Sequence, residues 1–288
     1  MYTIILSQDR FIHKDALLFP FNERGMQFGD GVYEVIRIYE GNFYLLEDHL
    51  NRLDRSLDAL QIHIPYSKDE LKKNLEKLIP LNEVKEDAFL YLQVTRGIAE
   101  RDHAFPEKIE PNVFAYIKRK SRPLDFIQQG VTAITYPDQR WDNCYIKSLN
   151  LLPNVLAKQK AKEEKAYEAI LHREGEITEG SSSNIFLVKD ETIFTHPVSH
   201  RILNGCVRQR ILQLAKEEGW KIVEEAFSIE DLKTADELFL TSTISEIMPI
   251  TQVDEHPIGD GKVGSVTKEL QTLYERDARL YTRKVSGF

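Results

Sequence analysis

Cysteine is scarce in this sequence: Cys144 and Cys206 are the only two. They stand far apart and in no metal-type spacing, so neither a disulfide framework nor a structural metal site is expected. Long apolar runs are missing too; none approaches the roughly 20 residues that cross a bilayer. The opening MYTIILSQDRFIHKD meets charge after a short apolar stretch, so no signal-peptide core and no membrane partner are expected. Positive charge is in deficit, with 38 Lys and Arg against 46 Asp and Glu and a net charge of -8. Without an overall positive field, a nucleic-acid partner is not expected. Internal repeats and low-complexity tracts are absent as well. These absences point to a cytoplasmic protein that acts on small molecules.

What is present is an ordinary globular composition, 42% apolar and 29% charged over 288 residues, enough for two domains. The start is rich in strands: YTIIL and RFI, then VYEVIRIYE and FYLL on either side of Gly41-Asn42, a hairpin signal. Two amphipathic helices follow, one with Leu50, Leu53, Leu57 and Leu60 on a single stripe, the other with Leu71, Leu75 and Leu78. Ser67 and Glu70 form a capping box at the start of the second. Strands AFLYLQVT and NVFAYIKRK complete a first α+β unit, and SRPLDFIQQG reads as its exit linker. Beyond it, strands VTAITY, YIKSL, EAILH, NIFLV, TIFTH, KIVEEAF and ELFLTST alternate with helices beginning near Pro153, Gly205, Ser228 and Val266. The expected domains are therefore 1–121 and 122–288.

The chemistry starts from Lys147, an ammonium inside the short apolar stretch YIKSL. A lysine there either snorkels to water or is held in a closed site, where loss of hydration makes an amine more nucleophilic. A pyridoxal phosphate site requires an acid for the ring nitrogen, donors for the phosphate and a cation for the substrate carboxylate, and three other segments offer candidates for the first two. ITEGSSSNIF puts Glu179 in a Gly/Ser turn ahead of a strand, where it is either fixed by donors or simply solvated. RILNGCVRQRIL runs from Asn204-Gly205 into a helix whose first amides offer a positive end to an anion, as any helix start does. LFLTSTISE ends a strand in Thr241, Ser242 and Thr243, a hydroxyl cluster that completes a phosphate cup or only terminates the strand.

The order and wording of longer blocks narrow these alternatives. ERGMQFGDGVYEVIRIYEG, EDHLNRL, QVTRG, RDHAFPE, IKSLNLLPNVLAKQKA, YEAILHREGEITEGSSSNIF, THPVSHRILNG and DELFLTSTISEI resemble, in sequence order and over nearly the whole chain, the fold-type IV pyridoxal-phosphate aminotransferases. Within them the resemblance is to the bacterial D-amino-acid aminotransferases. It implies a two-domain α+β fold, with a smaller N-terminal α/β domain and a larger β-barrel-like C-terminal domain with helices, and a site at the domain and dimer interface.

By that resemblance Lys147 holds pyridoxal 5′-phosphate covalently and Glu179 partners the pyridine nitrogen. Arg52 reaches the phosphate, joined by Ser242, Thr243 and the amides of Cys206 and Val207, while Leu203 packs on the ring. Val207 stands where the family commonly has threonine, which implies one hydroxyl fewer at the phosphate. Tyr33, Arg101 and His103 form the substrate-carboxylate trap, a guanidinium fork and a phenol suiting a planar carboxylate. The loop carrying Arg101 and His103 is expected to come from a neighbouring copy, which implies a homodimer. The implied reaction is ping-pong transamination of D-amino acids such as D-alanine with a 2-oxo acid such as 2-oxoglutarate. Transamination of branched-chain L-amino acids on the same fold, and a non-catalytic pyridoxal phosphate carrier, are the alternatives.

Overall fold

The computed structural model describes residues 1–285, and side chains through residue 280. It divides into two compact units, Met1–Ser121 with Ile146–Asn150, and Arg122–Tyr145 with Leu151–Leu280.

The first unit contains β1 (Ile4–Ser7), β2 (Arg10–His13), α1 (Arg24–Phe28), β3 (Gly31–Tyr39), β4 (Asn42–Phe43), α2 (Leu46–Ala59), α3 (Lys68–Leu81), β5 (Ala88–Thr95) and β6 (Asn112–Arg119). The strands form one antiparallel sheet in the order β2-β1-β6-β5-β3-β4. Alternation places Val32, Ile36, Ile38, Leu90, Leu92, Val94, Val113, Ala115 and Ile117 on one face, where they pack with Leu50, Leu53 and Leu57 of α2 and Leu71, Leu75 and Leu78 of α3. Each fully buried leucine contributes about 1.5–3 kcal/mol, so this layer anchors whatever β3 and α2 carry. The capping box forms as expected, with Ser67 Oγ accepting from the Glu70 amide and the Glu70 carboxylate accepting from the Ser67 amide. The β3–β4 hairpin turns at Glu40–Gly41, with φ of 48° and 78°, one residue earlier than expected. Both central residues of this turn need positive φ, and glycine meets that need without strain.

The stretch YIKSL is not a strand, and Ile146–Asn150 belongs to the first unit rather than the second. The reason lies in β3. Its partner β4 covers only Ile38 and Tyr39, so the other end of that edge stays open. The Tyr33 amide donates to Lys147 O at 3.0 Å, the Leu149 amide to Gly31 O at 3.0 Å, and Val32 and Ser148 form a single bridge. Ile146 packs into the first core.

The second unit opens with α4 (Leu124–Gln129), a short helix where the sequence suggests only a linker. There follow β7 (Val131–Pro137), α5 (Leu152–Glu163), β8 (Glu168–Arg173), β9 (Glu176–Gly180), β10 (Asn184–Lys189), β11 (Thr192–Thr195), α6 (Cys206–Glu217), β12 (Lys221–Glu224), α7 (Ile229–Thr234), β13 (Glu237–Ser242), β14 (Glu246–Val253), β15 (His256–Pro257) and α8 (Ser265–Val285). Its mixed sheet runs β12-β11-β10-β13-β14-β7-β8-β9, with β15 beside β14. This sheet cannot be flat. Strands β9 and β10 stand five places apart in the order, about 24 Å at ordinary spacing, yet only residues 181–183 join them, a reach of about 15 Å. The sheet therefore curls, and the Gly180 amide meets Ser183 O at 2.6 Å. The α+β class and the curled, strand-rich second domain agree with expectation.

Candidate active site

In the first unit β3 places Tyr33 on the face opposite the core, beside Tyr91 at a ring separation of 5.8 Å. The Lys147 segment runs along the same stretch of β3, and Lys147 Nζ lies 4.2 Å from the Tyr33 ring centroid. The Lys147 amide donates to Ser56 Oγ of α2 at 3.2 Å. Lys147 is half-buried, with its backbone tied and its amine against an aromatic face.

On the core face of the same strand stands Glu34, fully buried. Its carboxylate accepts from Arg52 Nε and Nη2, each at 2.8 Å, and lies 2.7 Å from His49 Nδ1. Burial alone would raise the Glu34 carboxyl, but the Arg52 and His49 charges and hydrogen bonds outweigh it and hold the group well below the usual carboxylate range. Arg52 is thus a buried guanidinium with a fixed fork. Sequence reasoning singled out Arg52 and missed Glu34. The signal was available, because Glu34 is a charge at an interior position of the alternating set Val32, Glu34, Ile36, Ile38.

Arg101 and His103 are exposed, in the loop between β5 and β6. They gather at Phe28, with Arg101 Cζ 4.9 Å and the His103 ring 5.5 Å from its centroid. Among the described residues no hydrogen bond joins either of them to Tyr33.

In the second unit Glu179 lies in β9, not in a turn. The Ile170–Arg173 edge of β8 pairs with this polar segment and makes it a strand. Glu179 Oε2 accepts from the Leu203 amide and from Asn184 Nδ2, both at 3.0 Å, and Oε1 accepts from Arg140. Burial pushes the Glu179 carboxyl upward, and Arg140 and the Leu203 amide offset that only in part. Burial also opposes the charge on Arg140, yet Glu179 and Asp138 hold it protonated beyond the arginine norm. Asp138 accepts from Arg140 Nη2 at 2.7 Å and from Thr178 Oγ1 at 2.9 Å. Arg140, Asp138 and Asn184 were missed by sequence reasoning.

Cys206 and Val207 are the first residues of α6 and both are buried. The N-cap Gly205 has no side chain to cap the helix, and a Cβ there would meet Asn184 Oδ1 at 2.3 Å. The helix start is therefore fixed against the residue that also holds Glu179. Asn184 and Thr241 are opposite one another on β10 and β13, which puts their side chains on one face. Thr241 Oγ1 is buried without a partner. Ser242 Oγ, at the end of β13, accepts from the Ser245 amide at 2.9 Å, and Thr243 follows it, half-buried.

This donor set fits pyridoxal phosphate. A carboxylate held by two N–H donors and a guanidinium suits a protonated ring nitrogen, and a helix start without a side-chain cap beside an unpartnered hydroxyl suits a phosphate. No group of three or more His, Cys, Asp or Glu among the described residues is placed to hold a metal ion.

In the second unit a buried glutamate held by donors and a helix start without a side-chain cap, on a curled mixed sheet, suit an enzyme that uses pyridoxal phosphate. Residues 31–253 match the family model for amino-transferase class IV, and the chain belongs to that family. Class IV aminotransferases use pyridoxal phosphate. Similar relatives include the D-alanine aminotransferase of Bacillus licheniformis, 45% identical over 97% of this chain and 99% of that one. The D-alanine aminotransferase of Staphylococcus aureus strain N315 is 42% identical over 94% and 96%. Among solved structures, the branched-chain amino acid aminotransferase of Escherichia coli superposes with a TM-score of 0.89 at 26% identity, covering 94% of this chain and 93% of that one.

Proposed function

We propose that this chain transaminates D-amino acids, D-alanine among them, with a 2-oxo acid such as 2-oxoglutarate as amino acceptor. The observation that carries the reading is that one chain holds a cofactor-type donor set and also Arg101, His103 and Tyr33, three residues suited to a carboxylate and without purpose in a mere carrier. The D-alanine aminotransferase relatives, matched over nearly their whole length, support it.

Lys147 would hold the cofactor covalently, and its Nζ would take the proton from the substrate α-carbon and pass it to the cofactor, not back to that carbon. Glu179 keeps a proton at the ring nitrogen, helped by its buried setting, while Arg140 and Asn184 hold the carboxylate in place. Arg52, the amides of Cys206 and Val207, and the hydroxyls of Ser242 and Thr243 hold the phosphate, and Leu203 covers the ring. Bound, the cofactor supplies an electron sink and carries the amino group between the two half-reactions. Arg101, His103 and Tyr33 bind the substrate carboxylate. One oxo acid leaves before the next enters, so kinetics are ping-pong.

Arg101 and His103 gather at Phe28, and the proposal includes a homodimer in which this exposed loop serves the neighbouring copy. The proposal places the chain in the cytoplasm, where its two buried cysteines would stay reduced. No helix among the described residues is long and apolar enough to cross a membrane.

A paired assay of D-alanine and L-leucine, each with 2-oxoglutarate, tests the reading. Turnover of D-alanine well above L-leucine is expected. Turnover of L-leucine alone would establish the branched-chain alternative, and turnover of neither would leave a carrier.

A further inference from the structure

The loop of residues 96–111 projects Arg101 and His103, yet both are exposed and neither is held by a hydrogen bond among the described residues. What fixes the loop is a buried charge cluster behind it. Asp30 Oδ2 accepts from Arg24 Nε and from Arg96 Nε, each at 2.8 Å. Arg24 and Arg96 are only 3% and 4% exposed, so this shared carboxylate is their main compensation. Each arginine then reaches onward. Arg24 Nη1 donates to Asp102 O at 2.7 Å, the carbonyl lying between Arg101 and His103. Arg96 covers the Phe105 ring at 3.6 Å and donates to Leu60 O at 2.7 Å and Gln61 O at 3.2 Å at the end of α2. The base of the loop is closed by backbone bonds, from the Arg24 amide to Gly97 O at 2.9 Å and from the Arg96 amide to Asp30 O at 3.0 Å. Helix α1 also presents Phe28, whose ring takes Arg24 at 4.8 Å and Arg101 at 4.9 Å.

We infer that Arg24, Asp30 and Arg96 form a clamp that positions the Arg101–His103 loop for substrate-carboxylate recognition. These are positioning residues: none needs to touch substrate. Arg24 holds the one carbonyl between the two recognition side chains, while Arg96 holds the loop's far side through Phe105. A carboxylate fork tolerates little misplacement, and a 1 Å error costs about a hundredfold in rate in well-ordered sites. The inference rests on the reading of Arg101 and His103 as the carboxylate trap, so its test carries a control for that reading.

The full chain is compared with Arg24→Gln, Phe105→Leu and Arg101→Ala. Phe105 is half exposed, so its variant folds even if Arg24→Gln does not and then decides alone. The measurements are the KM for D-alanine, the kcat, the cofactor dissociation constant, and deuterium exchange at residues 98–108 with and without cofactor. Arg24→Gln is expected to raise KM roughly ten- to a hundredfold and Phe105→Leu several-fold. Both should speed exchange in the loop and leave cofactor binding unchanged. If Arg101→Ala raises KM while neither clamp variant moves KM or exchange, the clamp is wrong and the trap stands. If Arg101→Ala leaves KM unmoved, the trap reading falls and the clamp falls with it.

Discussion

Glu34→Gln removes one negative charge from a position with no exposure while keeping the side-chain shape. In the protein Glu34 satisfies two N–H groups of Arg52 and sits against His49 Nδ1. The glutamine oxygen replaces one acceptor, but its NH2 faces a guanidinium N–H, and the Arg52 charge is left without its carboxylate. Removing one partner of a buried ion pair costs about 3–5 kcal/mol, which for a chain of this size lowers the melting temperature by roughly 6–20 °C. The pH dependence has a definite sign. The folded-state pKa of Glu34 lies below its unfolded value, so its stabilisation is complete above the unfolded carboxylate value of about 4.3 and is lost as pH falls towards the folded one. Thermal or urea unfolding of both proteins from neutral pH to about pH 3 should show a gap that is widest at neutrality and narrows in acid. A gap under about 1 kcal/mol at neutrality, or one independent of pH, would refute the argument that this carboxylate compensates Arg52.

Val207→Thr should tighten the cofactor by roughly tenfold or more, since a hydrogen bond to a charged group contributes about 1.5–3 kcal/mol; an unchanged or weaker dissociation constant by titration counts against Val207 at the phosphate. Lys147→Ala should abolish turnover while cofactor still binds noncovalently, and substantial residual transamination would remove Lys147 from proton transfer.

The elements legible in the sequence are those specified by local signals. Helix α3 announces itself through Ser67, Glu70 and the Leu71, Leu75, Leu78 stripe, and β5 and β6 through alternation. Strand β9 does not, because EITEG is polar and becomes a strand only by pairing with β8. The Lys147 segment was misread for the opposite reason: its apolar residues suggest a strand, but only the open end of β3 is available to it. The candidate site was legible chiefly through resemblance to a family, since Lys147, Glu179 and Gly205 taken singly also suit a surface lysine, a solvated turn and an ordinary helix start. Arg140 lies in the polar stretch PDQRWDN, without periodicity, and its bond to a glutamate 39 residues away is a product of tertiary folding. The pair Arg24 and Asp30 was equally silent, because nothing local shows that Asp30 is shared between Arg24 and Arg96.

The central claim is that the amine of Lys147 carries the cofactor. Borohydride reduction of protein saturated with pyridoxal phosphate, followed by peptide mass analysis, should place one reduced phosphopyridoxyl group on the peptide containing Lys147 and discharge the visible absorption. Protein that stays colourless with the vitamer, or a label fixed on another lysine, would contradict it.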